Sequence, residues 1–184
     1  ATSRLEGETW TTLPAPYNDF DLPIVALAAG AGGVVWGITE AELVRFDGEA
    51  IDTFARAASS PNFLETDGIV GLAVAADGAV YTADAGQGPI QRLDPLTGDR
   101  EFIANGPRAA EQAANGALLV DESGALWAGV GDTVRRLAGG QWSVLAGPSE
   151  LPANVLTDVA HDGRALWVAS AAGMGRYDGR WQSF

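Results

Sequence analysis

The chain contains no cysteine and no lysine among its 184 residues, and it has a single histidine. Without cysteine there can be no disulfide, no thiolate metal site and no cysteine nucleophile. All 11 basic residues are arginines, and they face 24 acids, which gives a net charge of −13 at pH 7. Such an excess of negative charge repels phosphate backbones and anionic lipid, so nucleic-acid partners and membrane-surface binding are disfavoured.

Long apolar runs and long helical patterns are also missing. No segment approaches the roughly 18 to 20 apolar residues of a membrane span, so no membrane insertion is expected. The opening segment TSRLEGETWTT is polar and has no apolar core of a secretory signal, so a targeting signal is expected to be absent or already removed. The best helix candidate is residues 108–114, which would form one to two turns at most. With 47% apolar residues, the chain is expected to fold as one domain with its own core.

The sequence does contain an internal repeat. Turn residues followed by a short apolar run with an aromatic residue recur at Trp36, Tyr81, Trp127 and Trp167, with spacings of 45, 46 and 40 residues. Each copy also has an arginine at an equivalent position in a later apolar run, so a second set of residues repeats in register with the aromatics. The arginines are Arg4, Arg45, Arg92, Arg136 and Arg176. Self-similarity with a period of roughly 40 residues indicates stacked, equivalent structural units.

Each copy divides into four short runs bounded by Gly, Pro, Asp and Asn, which is typical of β-strands. A repeated four-stranded unit of this length is the pattern of a β-propeller blade. We therefore predict an all-β propeller with full blades at residues 22–55, 68–104, 115–146 and 152–184, and a half blade at residues 3–13. The alternative, a β-sandwich of unrelated hairpins, is disfavoured because two sets of residues keep their register through the copies.

The last copy, which starts at Leu151, contains an LW pair, a glycine, an RYDG strand and an outer strand with Trp181. In this order it resembles the repeats of the bacterial two-component-regulator propeller family. The first and third copies and the opening RLEGETWTTL follow the same pattern, whereas the second copy, GLAVAADGAVYTADAGQGPIQRLDPLTG, is more similar to an NHL-type blade. The resemblance implies a bacterial, extracytoplasmic (periplasmic or secreted) sensor module, although motifs of this kind specify blade packing more than activity.

The repeated aromatics could form a ligand-stacking ladder, but one aromatic at the same place in every blade is expected to fill the space between neighbouring sheets. The repeated arginines are likewise expected to pair with neighbouring carboxylates rather than to form an anion site. His161 is expected to be a solvated turn residue, because no nucleophile motif accompanies it.

No cofactor is predicted. The Asp-Gly pairs at 47–48, 77–78, 162–163 and 178–179 match hairpin turns, and no segment has the ligand spacing of an EF-hand. A metal held by single carboxylates from different loops stays open as an alternative.

The long, irregular segments of the chain are expected to lie on one face of the propeller. The direction of the strands places the crossings between blades and the loops between second and third strands on this long-loop face. Variable loops on a rigid scaffold commonly carry function. Aromatics beside amides and acids suit a small molecule, glycan or protein partner. The candidate ligand-binding residues are Tyr17, Asn18, Asp19, Phe20, Asn62, Phe63, Glu65, Arg108, Glu111 and Asn154. An alternative role for Phe20 and Phe63 is to plug the channel mouth or to pack against the blade edge.

The sequence thus predicts a non-catalytic binding module. The alternative is a propeller enzyme, a lyase or hydrolase, with a metal at the channel mouth held by carboxylates such as Asp19, Glu65 or Glu111. Four blades and a half blade are also an unusual number for a closed ring. We expect either a larger ring of about six to eight blades or completion by other copies of the chain, since open sheet edges and apolar blade faces favour association.

Overall fold

The computed structural model describes residues 3–12, 24, 26–39, 42–55, 69–84, 90–103, 117–130, 133–146, 151 and 156–184. Within these ranges the chain forms eighteen β-strands and one short 3-10 turn, Ala31–Gly33. The strands make four four-stranded antiparallel sheets and one two-stranded sheet. The predicted all-β propeller fold is therefore confirmed.

Each four-stranded sheet is a simple meander in which consecutive strands pair. The two-stranded sheet consists of β1 (Ser3–Glu6) and β2 (Thr9–Thr12). Blade 1 consists of β3 (Ala26–Ala29), β4 (Val35–Ile38), β5 (Glu42–Phe46) and β6 (Ile51–Ala55). Blade 2 consists of β7 (Ile69–Val74), β8 (Val80–Asp84), β9 (Gln91–Leu93) and β10 (Arg100–Phe102). Blade 3 consists of β11 (Ala117–Val120), β12 (Leu126–Val130), β13 (Thr133–Ala138) and β14 (Gln141–Ala146). Blade 4 consists of β15 (Leu156–His161), β16 (Leu166–Ser170), β17 (Gly173–Tyr177) and β18 (Trp181–Ser183).

The core of the protein lies between consecutive blades. Trp36 and Leu43 of blade 1 pack in one cluster with Leu72 and Leu93 of blade 2. A second cluster joins blades 2 and 3, and its buried members are Ala83, Ile90, Leu126 and Ala128. A third cluster joins blades 3 and 4, and its buried members include Trp127, Val134, Leu156, Val159 and Leu166. Fully burying a large apolar side chain contributes about 1.5–3 kcal/mol, so sheet-to-sheet packing is the main source of stability.

The first strands of the blades contact one another in the order β3, β7, β11 and β15. Among the described strands, no contact of comparable extent joins β15 back to β3. The outer surface of blade 4 presents Met174 and Phe184, which are 52% and 65% exposed, and that of blade 1 presents Leu27, which is 62% exposed. We call these two surfaces the terminal faces.

The turns between first and second strands and between third and fourth strands are short. Four of them contain the Asp-Gly pairs, and the φ angles of Gly48, Gly78, Gly163 and Gly179 are 102°, 89°, 84° and 105°. Asp47 shows the usual role of the aspartate, because its Oδ1 accepts hydrogen bonds from the amides of Glu49 and Ala50 at 3.0 and 2.9 Å. Positive φ and side-chain capping are features of tight turns. No group of three or more His, Asp or Glu side chains in the described ranges is placed to hold a metal ion. The same part of the chain contains no helix long and apolar enough to cross a membrane.

Candidate functional site

The aromatic residue and the arginine of each repeat face each other across the second and third strands of a blade. The register pairs are Trp36 with Arg45, Tyr81 with Arg92, Trp127 with Arg136 and Trp167 with Arg176. Directly opposed residues on one face of an antiparallel pair are close enough for their side chains to interact. The repeated aromatic and the repeated arginine of the sequence are therefore neighbours in the structure, and together they form one cross-strand pair in each blade.

In blade 3 this unit includes a turn aspartate. The guanidinium carbon of Arg136 lies 5.2 Å from the ring centroid of Trp127. The indole Nε1 of Trp127 donates a hydrogen bond of 2.8 Å to Oδ2 of Asp121, whose Oδ1 accepts from the amides of Ser123 and Ala125 at 2.9 and 3.0 Å. Burial raises the pKa of Asp121, but hydrogen bonds from Ser123, Trp127 and Ala125 outweigh burial, so that this pKa lies below its usual value.

Blade 4 repeats the arrangement. The Trp167 indole donates to Asp162 Oδ2 at 2.9 Å, and the guanidinium carbon of Arg176 lies 5.6 Å from the Trp167 ring centroid. The pKa of Asp162 falls to about 2, chiefly because Trp167 donates to its carboxylate, with further hydrogen bonds from the amides of Ala165 and Arg164. Arg176 also pairs with Asp178. Trp167 is only partly buried, and its ring stacks on Phe184 at a centroid distance of 6.1 Å.

Blade 2 has a tyrosine at the aromatic position. The Asp77 carboxylate here binds the arginine directly, with 3.3 Å between Arg92 Nη2 and Asp77 Oδ2. Burial lowers the pKa of Arg92, but the hydrogen bond to Tyr81 and the charge of Asp77 raise it overall. Tyr81 is partly buried against the cluster between blades 2 and 3. The amide of Ala75 donates to the carbonyl of Ala79 at 2.9 Å, so Ala75 occupies the turn position of Asp121 and the carboxylate of blade 2 comes from two residues further along the turn.

Blade 1 lacks the turn carboxylate. The amide of Gly30 donates to the carbonyl of Val34 at 2.8 Å, as the amide of Asp121 donates to the carbonyl of Ala125 at 2.9 Å, so Gly30 occupies the turn position of Asp121. Trp36 is 2% exposed and contacts the Phe54 ring at a centroid distance of 5.4 Å.

The arginine of blade 1 pairs with carboxylates that are not in the first turn of the blade. Arg45 Nη1 lies 2.8 Å from Asp52 Oδ2 and 3.5 Å from Asp47 Oδ2. The first turn of blade 1, residues 30–34, contains no carboxylate that could accept a hydrogen bond from the Trp36 indole. Blade 1 therefore keeps the Trp–Arg pair but not the acceptor that the indole has in blades 3 and 4.

A cavity of about 210 Å³ lies between the short turns of blades 1 and 2. We call it the Trp36 cavity. Its lining residues are Gly30, Ala31, Val34, Trp36 and Arg45 of blade 1 and Val74, Ala76, Asp77, Gly78, Pro95 and Leu96 of blade 2. Leu96 stands at its rim and is 91% exposed. The volume is below the roughly 300–1,000 Å³ of sites for drug-sized molecules, so only a small ligand or a single side chain fits.

Arg100 is an unusual residue on the same side of blade 2. It is paired with Leu93, which is the register position that Trp142 holds opposite Leu137 and Trp181 holds opposite Tyr177. Nε, Nη1 and Nη2 of Arg100 are buried without a hydrogen-bond partner, as are the indole nitrogens of Trp142 and Trp181. Burial lowers the pKa of Arg100. A charged group thus occupies a position that blades 3 and 4 give to tryptophan.

All ten candidate ligand-binding residues of the long-loop face lie outside the described residues, as does the helix candidate 108–114. Arg4 lies in β1, opposite Thr11. His161 differs from the expectation of a solvated turn residue, because it ends β15, is half-buried and accepts a hydrogen bond from the Gly163 amide at Nδ1, 3.1 Å away.

The Trp36 cavity was not predicted from the sequence. A signal was present, because the first repeat has Gly30 where the third and fourth have Asp121 and Asp162.

Radially packed, four-stranded antiparallel blades define the class of the protein as a β-propeller. No protein-family model and no curated protein matches the chain. A chain of a nidogen/laminin complex matches with a TM-score of 0.71 and 16% identity, over 98% of this chain and 72% of that one. The extracellular domain of BT3049 from B. thetaiotaomicron, described as a hybrid two-component system, matches with a TM-score of 0.71 and 12% identity, over 99% of this chain and 26% of that one.

A lyase is among the similar structures as well. Virginiamycin B lyase from Staphylococcus aureus matches with a TM-score of 0.63 and 16% identity, over 99% of this chain and 61% of that one. This chain thus spans about a quarter of the BT3049 extracellular-domain chain and about three fifths of the lyase chain. At these identities the likeness shows the fold alone, and the similar structures include an extracellular domain of a two-component system, a chain of a protein complex and an enzyme.

Proposed function

We propose that the chain is a non-catalytic binding module that recognises a small molecule, glycan or protein on its long-loop face. The carrying observation is that the repeated charged and aromatic side chains of blades 2 to 4 bind one another. Asp121, Trp127 and Arg136 form one such set, and Asp162, Trp167 and Arg176 form another. Groups engaged in this way stabilise the blades, so recognition falls to the variable segments that the blades hold in place.

The similar structures support a binding role. They include an extracellular domain of a two-component system and a chain from a nidogen/laminin complex. We propose by analogy an extracytoplasmic location and a bacterial sensor role, and this part rests on fold likeness alone.

A thermal-shift screen of the purified chain against monosaccharides, disaccharides and dipeptides tests the proposal. A ligand that binds the folded state raises the melting temperature in a concentration-dependent way. We expect at least one saturable shift, and we expect the double variant Phe20→Ala/Phe63→Ala to lose it. Val144→Ser is the matched control, because Val144 is 64% exposed on β14, an outer strand. Shifts that the loop variant leaves unchanged would contradict binding on the long-loop face.

The second candidate function is a lyase or hydrolase with a metal held by carboxylates such as Asp19, Glu65 or Glu111. The likeness to virginiamycin B lyase favours it. Elemental analysis of the purified protein separates the two candidates. A stoichiometric divalent ion that is lost in the Asp19→Asn or Glu65→Gln variant would support the enzyme and count against a purely binding role.

We also propose that the terminal faces associate with a second copy of the chain. Every described interface between consecutive blades is an apolar sheet-to-sheet contact, and Met174, Phe184 and Leu27 are apolar residues left exposed on surfaces of the same kind. Pairing the terminal face of blade 4 with that of blade 1 in another copy would continue the same packing. Exposed apolar patches of this kind mark interaction surfaces.

A further inference from the structure

The surroundings of Trp36 in blade 1 can be compared with those of the equivalent tryptophans in blades 3 and 4. In blades 3 and 4, a turn carboxylate accepts the indole hydrogen bond of the repeated tryptophan, at 2.8 and 2.9 Å. Blade 1 has the same tryptophan and the same opposed arginine, but its turn contributes Gly30 at the position of Asp121. A cavity of about 210 Å³ is found at this turn. The cavity therefore lies beside Trp36 and Arg45, and the adjacent turn of blade 1 supplies no carboxylate to the indole.

The donors beside the cavity suit an anionic oxygen. Trp36 carries an indole N–H, which is a donor only. Arg45 has five N–H donors, and its ion pairs with Asp52 and Asp47 both use Nη1, so donors on Nε and Nη2 remain outside these pairs. Hydrogen bonds from a guanidinium to a carboxylate are about twice as strong as those between neutral groups.

Among the described lining residues, Asp77 is the carboxylate, and its charge is already paired. Asp77 Oδ2 lies 3.3 Å from Arg92 Nη2, and Asp77 Oδ1 accepts the amide hydrogen of Ala79 at 3.0 Å. Arg45 also lines the cavity, and although its Nη1 is paired with Asp52 and Asp47, its Nε and Nη2 donors lie outside those pairs and can bind an incoming anion. Most of the other lining side chains are aliphatic, among them Val34, Val74 and Leu96. They suit a short hydrocarbon chain attached to the anionic group.

We propose that the Trp36 cavity binds a small aliphatic carboxylate, whose carboxylate group substitutes for the turn aspartate of blades 3 and 4. The ligand is either a free branched-chain acid or the C-terminal carboxylate of a peptide with an aliphatic last residue. This site is on the short-turn side of blades 1 and 2, so it is independent of the proposed recognition on the long-loop face.

The test is a titration followed by NMR of the indole N–H groups of the six tryptophans. Isovalerate and N-acetyl-leucine are the two carboxylate probes, and isovaleramide is the neutral control at matched ionic strength. We expect saturable shifts of the Trp36 signal with both carboxylates, with a dissociation constant on the order of 1 mM for so small a ligand. Tighter binding of isovalerate identifies the free acid as the source, and tighter binding of N-acetyl-leucine identifies a peptide terminus.

Restoring the turn carboxylate provides the sharpest variant. Gly30 has φ −104° and ψ 178°, which an aspartate adopts without strain, and its new Cβ would lie 3.3 Å from Val74 Cγ1, so Val74 must yield slightly. In Gly30→Asp, we expect the new carboxylate to occupy the site of the probe's carboxylate and to weaken probe binding at least tenfold. Gly30→Ala adds the same Cβ without the charge, and it should retain binding within about threefold.

A second pair of variants tests the arginine. Arg45→Gln should weaken carboxylate binding at least tenfold, whereas Arg176→Gln, at the same register position in blade 4, should leave it unchanged. The Trp127 and Trp167 signals report whether each variant remains folded. An equal response to isovaleramide, equal shifts at all tryptophans, or unaltered affinity in Gly30→Asp would each overturn the proposal.

Discussion

Arg136 lies over Trp127 from the directly opposed position on the neighbouring strand, with its guanidinium carbon 5.2 Å from the ring centroid. A cation at this distance is attracted to the negative face of the ring. The indole nitrogen of the same ring is bound to Asp121 in the turn. One tryptophan therefore ties a turn, its own strand and the next strand together while its ring contributes to the core between blades 3 and 4.

Changing Trp127 to Phe should reveal the contribution of this hydrogen bond. The variant removes the indole N–H and leaves Asp121 Oδ2 without its donor. The matched control is Trp142→Phe in the same blade, because the Trp142 nitrogen is buried without a partner. We expect Trp127→Phe to lower the free energy of unfolding by about 1–2 kcal/mol more than Trp142→Phe, measured by urea denaturation. Equal losses would contradict a stabilising role of the hydrogen bond.

Replacing Arg100 by Met should cost little stability or increase it. The three guanidinium nitrogens of Arg100 are buried without partners, and a buried unpaired polar group is unfavourable. Methionine keeps the aliphatic stem and removes that penalty, so we expect an unfolding free energy equal to or up to about 1 kcal/mol above that of the native chain. Arg92→Met is the control and should destabilise, since Arg92 is paired with Asp77. A marked loss in Arg100→Met would show that the guanidinium has an essential partner.

The contribution of Asp162 to the free energy of unfolding should decrease at acidic pH. Its folded-state pKa of about 2 lies below the ordinary aspartate pKa of 3.8, so folding favours the ionised carboxylate. The resulting stabilisation is complete above the unfolded pKa and is lost as the pH falls from about 4 towards 2. We expect the stability difference between the native chain and Asp162→Asn, measured by urea denaturation, to be constant from pH 7 to 5 and to shrink below pH 4. A difference that stays constant to pH 2.5 would refute the assignment.

The terminal faces should make the chain self-associate. At tens of micromolar protein, light scattering should give a mass at least twice that of one chain, because Met174, Phe184 and Leu27 are exposed apolar residues on these surfaces. The double variant Met174→Ser/Phe184→Ser should shift the mass towards one chain, and Val144→Ser should not. A clean single-chain mass for the unaltered protein, with one cooperative melting transition, would reject the association.

The repeat in the sequence was sufficient to predict the fold. Alternation of short apolar runs with Gly, Asp and Pro decides where strands begin and end, and this is a local property of the chain. The predicted blade at residues 115–146, for example, contains β11 to β14, which run from Ala117 to Ala146. The same local reading placed the candidate ligand-binding residues on long segments that lie outside the described residues, so these candidates stay predictions.

The sequence by itself thus determined the β-strand content, the four-stranded unit and its number of copies, because strand and turn preferences act over a few residues. Only the tertiary structure decided what the repeated residues contact. Sheet register places Trp127 opposite Arg136, the turn brings Asp121 to the indole, and the packing of blade 1 on blade 2 leaves a cavity beside Trp36. The burial of the Arg100 guanidinium could not be predicted from the sequence either, because it depends on how two sheets pack and not on the neighbours of Arg100 in the chain.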